Sequence, residues 1–412
     1  MFSRSPQNSR KVHAMLLVPP SEIAQRVVTF QGLLQTHQVD AALIRQNTDL
    51  YYFSGTVQDG WLLIPASGPP FFAVRRDVSR AEQQSPLRPV LRLESLKQLP
   101  ALLDEATGRA SPRTLGMELD VLPTNTFFFF DEKLFPKDRI VDVSGLIRQV
   151  RMVKSSWELE MMRGAAAISH AVAQAVPHIL REGLREWDLL AELEKTARQA
   201  GHLGFARVRG FNLEIYFGHV LSGPEAAEAS YADHPTGGPG ISPAFSQGSG
   251  FRTIRRGDLV SVDTMMNHNG YLNDQTRNFS LGPPADELRD RYTLCQEIHQ
   301  YLREVAVPGA VTGELYDLLV DRIGKAGRLE HFMGPNDSGV SFLGHGLGLE
   351  VDEFPFIAKG QKIGLREGMT FAFEPKWVIP GKGVVGFENT YVVTARGAEP
   401  LNLTPEDLVI LD

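Results

Sequence analysis

Four carboxylates and one imidazole carry the chemistry this sequence offers: Asp263, Asp274, His345, Glu374 and Glu388. The aspartates lie in DLVSVDTMMNHNGYLNDQTRNFSL, residues 258–281, where two β-branched and apolar runs meet at Asn269-Gly270. Asn-Gly between such runs predicts a two-residue hairpin, because a type I′ turn needs φ > 0 at both central residues. His268 then faces Tyr271, Met265 faces Asp274, and Asp263 faces Thr276. Side chains repeat on one face every second residue, which makes Asp263 and Asp274 diagonal neighbours, roughly 7–8 Å apart at most. Carboxylates that close raise each other's pKa unless a cation lies between them. Alone, such a pair is most often solvated. Downstream residues change that weighting. His345 sits between Gly344 and Gly346, while Glu374 in FAFEP and Glu388 in GFENTYVV lie inside apolar strand runs. A carboxylate is costly to bury there without a partner. Carboxylate-rich ligation with one imidazole suits hard divalent ions, Mn²⁺ first, with Co²⁺ or Zn²⁺ as alternatives. Two ions about 3.5–4 Å apart bridge a water, lower its pKa and polarise a scissile carbonyl. The chemistry is metal-assisted hydrolysis.

In order and in context, these residues resemble the pita-bread metallopeptidases of the creatinase, aminopeptidase P and prolidase type. The matching stretches are VDTMMNHNGYLNDQTRNFSLG, GHGLGLEVDE, GMTFAFEP and ENTYVVT. The resemblance implies that Asp263 chelates one ion, that Asp274 and Glu388 bridge, and that His345 and Glu374 complete the second. It places His219 as the histidine that contacts substrate and tetrahedral intermediate, and Glu374 as the proton shuttle. It implies removal of an N-terminal residue before proline, by an Xaa-Pro aminopeptidase or dipeptidase working as a homodimer. Three positions depart from the pattern. Asp352 replaces the histidine of GLEVHE, Phe356 stands where prolidases carry a carboxylate-binding arginine, and Gly386 stands where arginine is frequent. Asp352 is expected to be ionised and to bind a cationic or N–H group of the substrate; the alternative is that it orients His345. It also keeps open a second function, a metal-dependent hydrolase or lyase on a non-peptide small molecule with Asp352 as base.

Elements must hold these residues in place. Strand runs at Val39–Ile44, Trp61–Ile64, Phe71–Val74 and Thr114–Leu119 alternate with helical patterns, one from Ser21 and one marked by Leu96, Leu99 and Leu103. This predicts an α/β domain over residues 15–148, creatinase-like by resemblance. Phe127 to Phe130 reads as packing. Ser155 or Ser156 caps a helix over Trp157–Leu180, and further helices are expected over Trp187–Ala200, Asp286–Val305 and from Thr312 to Gly324. Residues 150–412 then form an α+β pita-bread catalytic domain, with a curved antiparallel sheet inside and helices outside. A Gly- and Pro-rich stretch, residues 216–250, reads as a long functional loop with His219 at its start and His234 without a role.

Composition sets outer limits. The 412-residue chain carries a formal charge of -7, which offers no basic face to nucleic acid or anionic lipid. No run approaches a membrane span. A single cysteine, Cys295, forbids an intramolecular disulfide and fits a reducing compartment, so a cytoplasmic protein is expected. The first 21 residues, basic and free of acids, are expected to be a disordered leader.

Overall fold

In a computed structural model of the protein, the Asn269-Gly270 turn has φ of 50° and 92°, as a type I′ turn demands. The register follows from it: His268 pairs with Tyr271, Met265 with Asp274, and Asp263 with Thr276. The structure describes residues 15–214, 216–336 and 338–412. The leader expectation for residues 1–14 lies outside the described residues.

The hairpin belongs to a nine-stranded, curved sheet. Its path runs Val351–Ala358, Phe342–Leu347, Thr370–Phe373, Glu388–Thr394, Tyr271–Leu281, Leu259–His268 and Gly218–Ser222, each pair antiparallel. Two strands lie off this path: Gly397–Pro400 on Glu388–Thr394, and Val409–Leu411 parallel to Tyr271–Leu281. The period of two sorts the side chains. Val260, Val262, Phe279, Phe371, Phe373 and Tyr391 point to one face and are buried there. Helices Ser156–Ile179 and Glu186–Ala200 cover part of that face through Ile168, Val172, Val176, Leu189 and Leu193. Helices Asp286–Val305 and Thr312–Lys325 cover the rest through Cys295, Ile298, Leu302, Leu315 and Leu319. Each such side chain contributes about 1.5–3 kcal/mol on burial. The opposite face carries Asp263, Asp274, Thr276 and Glu388.

Local signals explain most helix ends. Ser155 accepts from the Glu158 amide at 3.2 Å while Glu158 accepts from the Ser155 amide at 3.0 Å, a capping box. Glu158 also accepts from Tyr271 Oη at 2.9 Å, which ties the helix start to the hairpin. Neither Ser21 nor Thr312 is an N-cap. The first helix is Pro20–Thr36 with Pro19 at its N-cap, so Ser21 is already inside. Thr312 is likewise the first helical residue, after Val311. Proline at the first helical position needs no donor and presets φ, which is why it displaces serine.

By its contacts the chain divides into two units, one reaching Glu118 and resuming at Thr124–Val141, the other comprising Leu119–Pro123 and Asp142–Asp412. The passage at Val141 precedes the expected 148 because helix Ser144–Arg151 belongs to the second unit: Arg151 meets Glu350 at 2.7 Å and the following Lys154 meets Glu353 at 2.8 Å. The first unit is a six-stranded mixed sheet with helices, ordered Val90–Arg92, Phe71–Val74, Gly60–Pro65, Ala41–Ile44, Thr114–Met117, Arg139–Asp142. Of the aromatic run, Phe130 is buried on Trp61 at 4.8 Å between ring centres, whereas Phe128 and Phe129 are exposed.

Candidate metal centre

Cross-strand pairing sets His219, Asp263, Thr276 and Glu388 in one row across the sheet: His219 opposes Asp263, which opposes Thr276, which opposes Glu388. Asp274 is two residues along from Thr276 on the same face, its amide donating to Thr390 Oγ1 at 3.0 Å. His345 opposes Ala372, and Glu374 comes two residues after Ala372, so both join that face. The five residues expected as ligands are thus brought together, and Asp274, His345, Glu374 and Glu388 are all buried. His219 lies inside strand Gly218–Ser222 rather than at a loop edge.

Lys376 was not anticipated. Its side chain is 1% exposed, and Nζ donates to Asp263 Oδ2 at 2.8 Å, Glu374 Oε2 at 2.8 Å and Glu388 Oε2 at 3.3 Å. Thr276 Oγ1 donates to the same Glu388 oxygen at 2.9 Å. The remaining donors turn the other way. His345 Nε2 is 3.9 Å from Asp274 Oδ2 and 3.8 Å from Glu374 Oε1, and Glu388 Oε1 is buried without a hydrogen-bond partner. Donor atoms of Asp274, His345 and Glu388 lie within 4.8 Å of one another, a spacing that small rotations reduce to bonds of about 2 Å to one ion.

Electrostatics favour a cation at that end. Burial, then Glu388, Asp263 and Glu374, hold the Asp274 carboxyl well above the usual range. Burial also lifts Glu388 to about 7, against the pull of Lys376. For Asp263 burial acts upward too, but Lys376 and His219 outweigh it and hold the group at about 2. Burial opposes the charge on Lys376, yet Asp263, Glu374 and Glu388 raise it well above an ordinary lysine. A divalent ion between Asp274, His345 and Glu388 removes the remaining repulsion. The residues present fit such an ion.

His219 is surrounded by polar atoms: Tyr216 Oη at 3.3 Å from Nδ1, Thr236 Oγ1 at 3.4 Å and Asp263 Oδ2 at 3.7 Å from Nε2. Burial lowers it to about 4, with Lys376 and His234 adding to the effect, so the ring is neutral near pH 7. Asp352 has φ of 64°, a left-handed conformation that aspartate tolerates better than most residues. It is held there by its neighbours. Arg148 donates to its carbonyl at 2.9 Å, and buried Glu353 accepts from the Leu349 and Glu350 amides at 2.9 and 3.1 Å. The Asp352 carboxylate consequently faces His345, Oδ1 lying 3.6 Å from Nδ1.

Beside this pocket opens a cavity of about 730 Å³, bordered by His345, Glu374, Asp352, Phe356, Arg148, Arg209 and His234. His234, which carried no role in the sequence, borders both this cavity and the pocket around Asp263. Nothing local to its loop announces that. Lys376 did leave a signal: a lysine directly after Glu374-Pro375 in an otherwise apolar run must find carboxylates if buried. Gly386 is φ 137°, and a Cβ there would come within 2.3 Å of Pro375 O and 3.0 Å of Lys376 Cα, so no side chain fits.

The profile of metallopeptidase family M24 matches residues 160–395, and that of the creatinase/prolidase N-terminal domain matches residues 26–153. A Xaa-Pro dipeptidase of Pyrococcus furiosus is 26% identical over 387 residues, 93% of this chain and 99% of that protein. A Xaa-Pro dipeptidase of Lactobacillus helveticus is 28% identical over 393 residues, 92% of this chain and 97% of the other. The solved prolidase from Pyrococcus horikoshii OT3 superposes with a TM-score of 0.77 at 26% identity, covering 93% of this chain and 100% of that one.

Proposed function

The chain belongs to metallopeptidase family M24, and on that footing we propose that it hydrolyses the bond after an N-terminal residue when proline comes second. The observation that carries this reading is the cluster of four carboxylates and one imidazole on a single sheet face, all but Asp263 buried, beside a cavity large enough for a short peptide. The names of the relatives, Xaa-Pro dipeptidase, supply the substrate class. Asp274, His345, Glu374 and Glu388 hold the divalent metal. A carboxylate-rich set favours Mn²⁺, with Co²⁺ or Zn²⁺ as alternatives. When bound, such an ion lowers the pKa of water and polarises the scissile carbonyl.

The side chains do the rest. Glu374 Oε1, on the side away from Lys376, takes the proton of the attacking water and passes it to the leaving amine. Tyr216 Oη lies 3.3 Å from His219 Nδ1; with that hydroxyl donating, the neutral ring carries its proton on Nε2, where it can donate to the developing oxyanion. Arg148 lies 3.8 Å over the Phe354 ring and borders the cavity, and there it supplies the cation that Phe356 cannot. Arg148→Met is expected to raise KM for free Xaa-Pro dipeptides about tenfold, as one charge-assisted hydrogen bond of about 1.5–3 kcal/mol is lost. C-terminally amidated substrates will show little change. Equal loss on acids and amides would remove Arg148 from substrate binding.

For Asp352, the 3.6 Å approach to His345 favours the orienting role over capture of the substrate amine. Asp352→Asn should weaken Mn²⁺ binding roughly tenfold, the low end for partners that orient metal-bound histidines. It should slow free-amine and N-blocked peptides alike; a KM rise confined to free-amine peptides would restore the substrate role. We place the enzyme in the cytoplasm, in keeping with the buried free thiol of Cys295, and read it as a homodimer. Among the described residues no helix is long and apolar enough to cross a membrane. A panel of proline peptides set beside small betaine-like compounds tests the function: turnover of peptides supports it, and turnover of the betaines alone supports the small-molecule alternative.

A further inference from the structure

We propose that this chain binds one divalent ion rather than two, because the Lys376 ammonium permanently fills the second cation position of the pocket. The inference rests on the reading of the pocket as a metal site and concerns how its positive charge is supplied. The division of oxygen atoms carries it. Glu374 and Glu388 each turn one oxygen to Lys376 Nζ, at 2.8 and 3.3 Å, and Asp263 joins them at 2.8 Å. The other oxygen of Glu374 faces His345, and the other oxygen of Glu388 is buried without a partner. Thr276 fixes which Glu388 oxygen meets the lysine, through a 2.9 Å hydrogen bond. One end of the pocket is therefore a closed ion pair among three carboxylates, while the other end turns the donors of Asp274, His345 and Glu388 toward one another.

A second ion held by Asp263 would share that carboxylate with the ammonium, which already takes Oδ2, and would lie in contact range of a like charge. The lysine has little room to withdraw. Its side chain is 1% exposed, its carbonyl accepts from the Met333 amide at 2.8 Å, and its stem passes so close to Gly386 that even a Cβ there would come within 3.3 Å of Cγ. Asp263 is accordingly the partner of a fixed charge, not a chelator, and an ammonium cannot exchange with solvent metals or be removed by a chelator.

The test is a count of ions, made without substrate. Wild-type protein dialysed to equilibrium against saturating Mn²⁺ should carry about one ion per chain by elemental analysis, with the paramagnetic resonance spectrum of isolated Mn²⁺. Lys376→Ala opens the second position, and about two ions per chain with the spectrum of an exchange-coupled pair are expected, as for ions about 3.5–4 Å apart. Two ions, or a coupled pair, in the wild-type chain overturn the proposal whatever the variant does. A folded Lys376→Ala chain that still takes one ion removes the lysine from that position; Lys376→Met, which keeps the length of the stem, serves if the alanine variant does not fold. No ion in the wild type sinks the metal reading as a whole. Cleavage of proline peptides by a two-ion wild type would leave the proposed function standing and defeat only this inference.

Discussion

Asp274→Ala is expected to give a folded chain that takes up no Mn²⁺ at concentrations that saturate the wild type and has no measurable hydrolase activity. Asp274 is buried and offers an oxygen to the cluster with His345 and Glu388. Without it, two donors remain of the tightest set. The same residue should reveal itself in stability, with the opposite sign. In the ion-free chain the Asp274 carboxyl binds its proton more tightly folded than unfolded, because of burial and then Glu388, Asp263 and Glu374. At neutral pH this mismatch subtracts from stability, and the loss is recovered as pH falls from the raised folded-state pKa to the ordinary carboxylate range. With chelator at pH 7 the variant should melt above the wild type. With Mn²⁺ the order should reverse, since an ion at about 100 times its Kd adds about 2.7 kcal/mol to a chain that binds it. A variant that keeps both ion and activity would contradict the ligand assignment.

His219→Ala should lower kcat by roughly 10²–10³-fold, or about 2.7–4 kcal/mol, the loss typical of one oxyanion donor, while metal content stays at the wild-type value. The ring is neutral because burial holds it at about 4, and its Nε2 is 3.7 Å from Asp263, in the row that faces the pocket. His219→Asn, which keeps a polar side chain in a buried space, separates loss of the donor from loss of packing. Elemental analysis alongside steady-state rates decides the matter. If ion and activity disappear together, His219 belongs to metal binding and the assigned role is wrong.

How much of this was legible in the sequence depended on how local each signal was. The Asn269-Gly270 turn fixes its own backbone, and from it the register of Asp263 and Asp274 follows by counting. Apolar periodicity located the helices because an amphipathic stripe is a property of one segment; Asp286–Val305 falls where its pattern said. Helix starts were less secure, as Ser21 and Thr312 illustrate, since a neighbouring proline or tertiary packing can move a cap by one or two residues. The passage between units moved for a related reason: Arg151 and Lys154 are captured by Glu350 and Glu353, some two hundred residues away. Lys376 lay two residues from an expected ligand and was still missed. Its partners Asp263 and Glu388 come from other strands, and only their convergence shows that the lysine is buried among carboxylates. Asp352 differs again: its departure from the family pattern was plain, but its direction is set by the left-handed backbone and Arg148, which sequence does not display.

The central claim is that this pocket is a metal-dependent peptidase site for substrates with proline second. The most direct measurement is release of the first residue from an Xaa-Pro peptide library by protein stripped with chelator and then reconstituted with Mn²⁺, with matching Xaa-Ala peptides beside it. The stripped protein should be inactive, and Mn²⁺ should restore cleavage of Xaa-Pro bonds in preference to Xaa-Ala. Unchanged activity after stripping, or a reconstituted chain that leaves every Xaa-Pro bond intact, would contradict it.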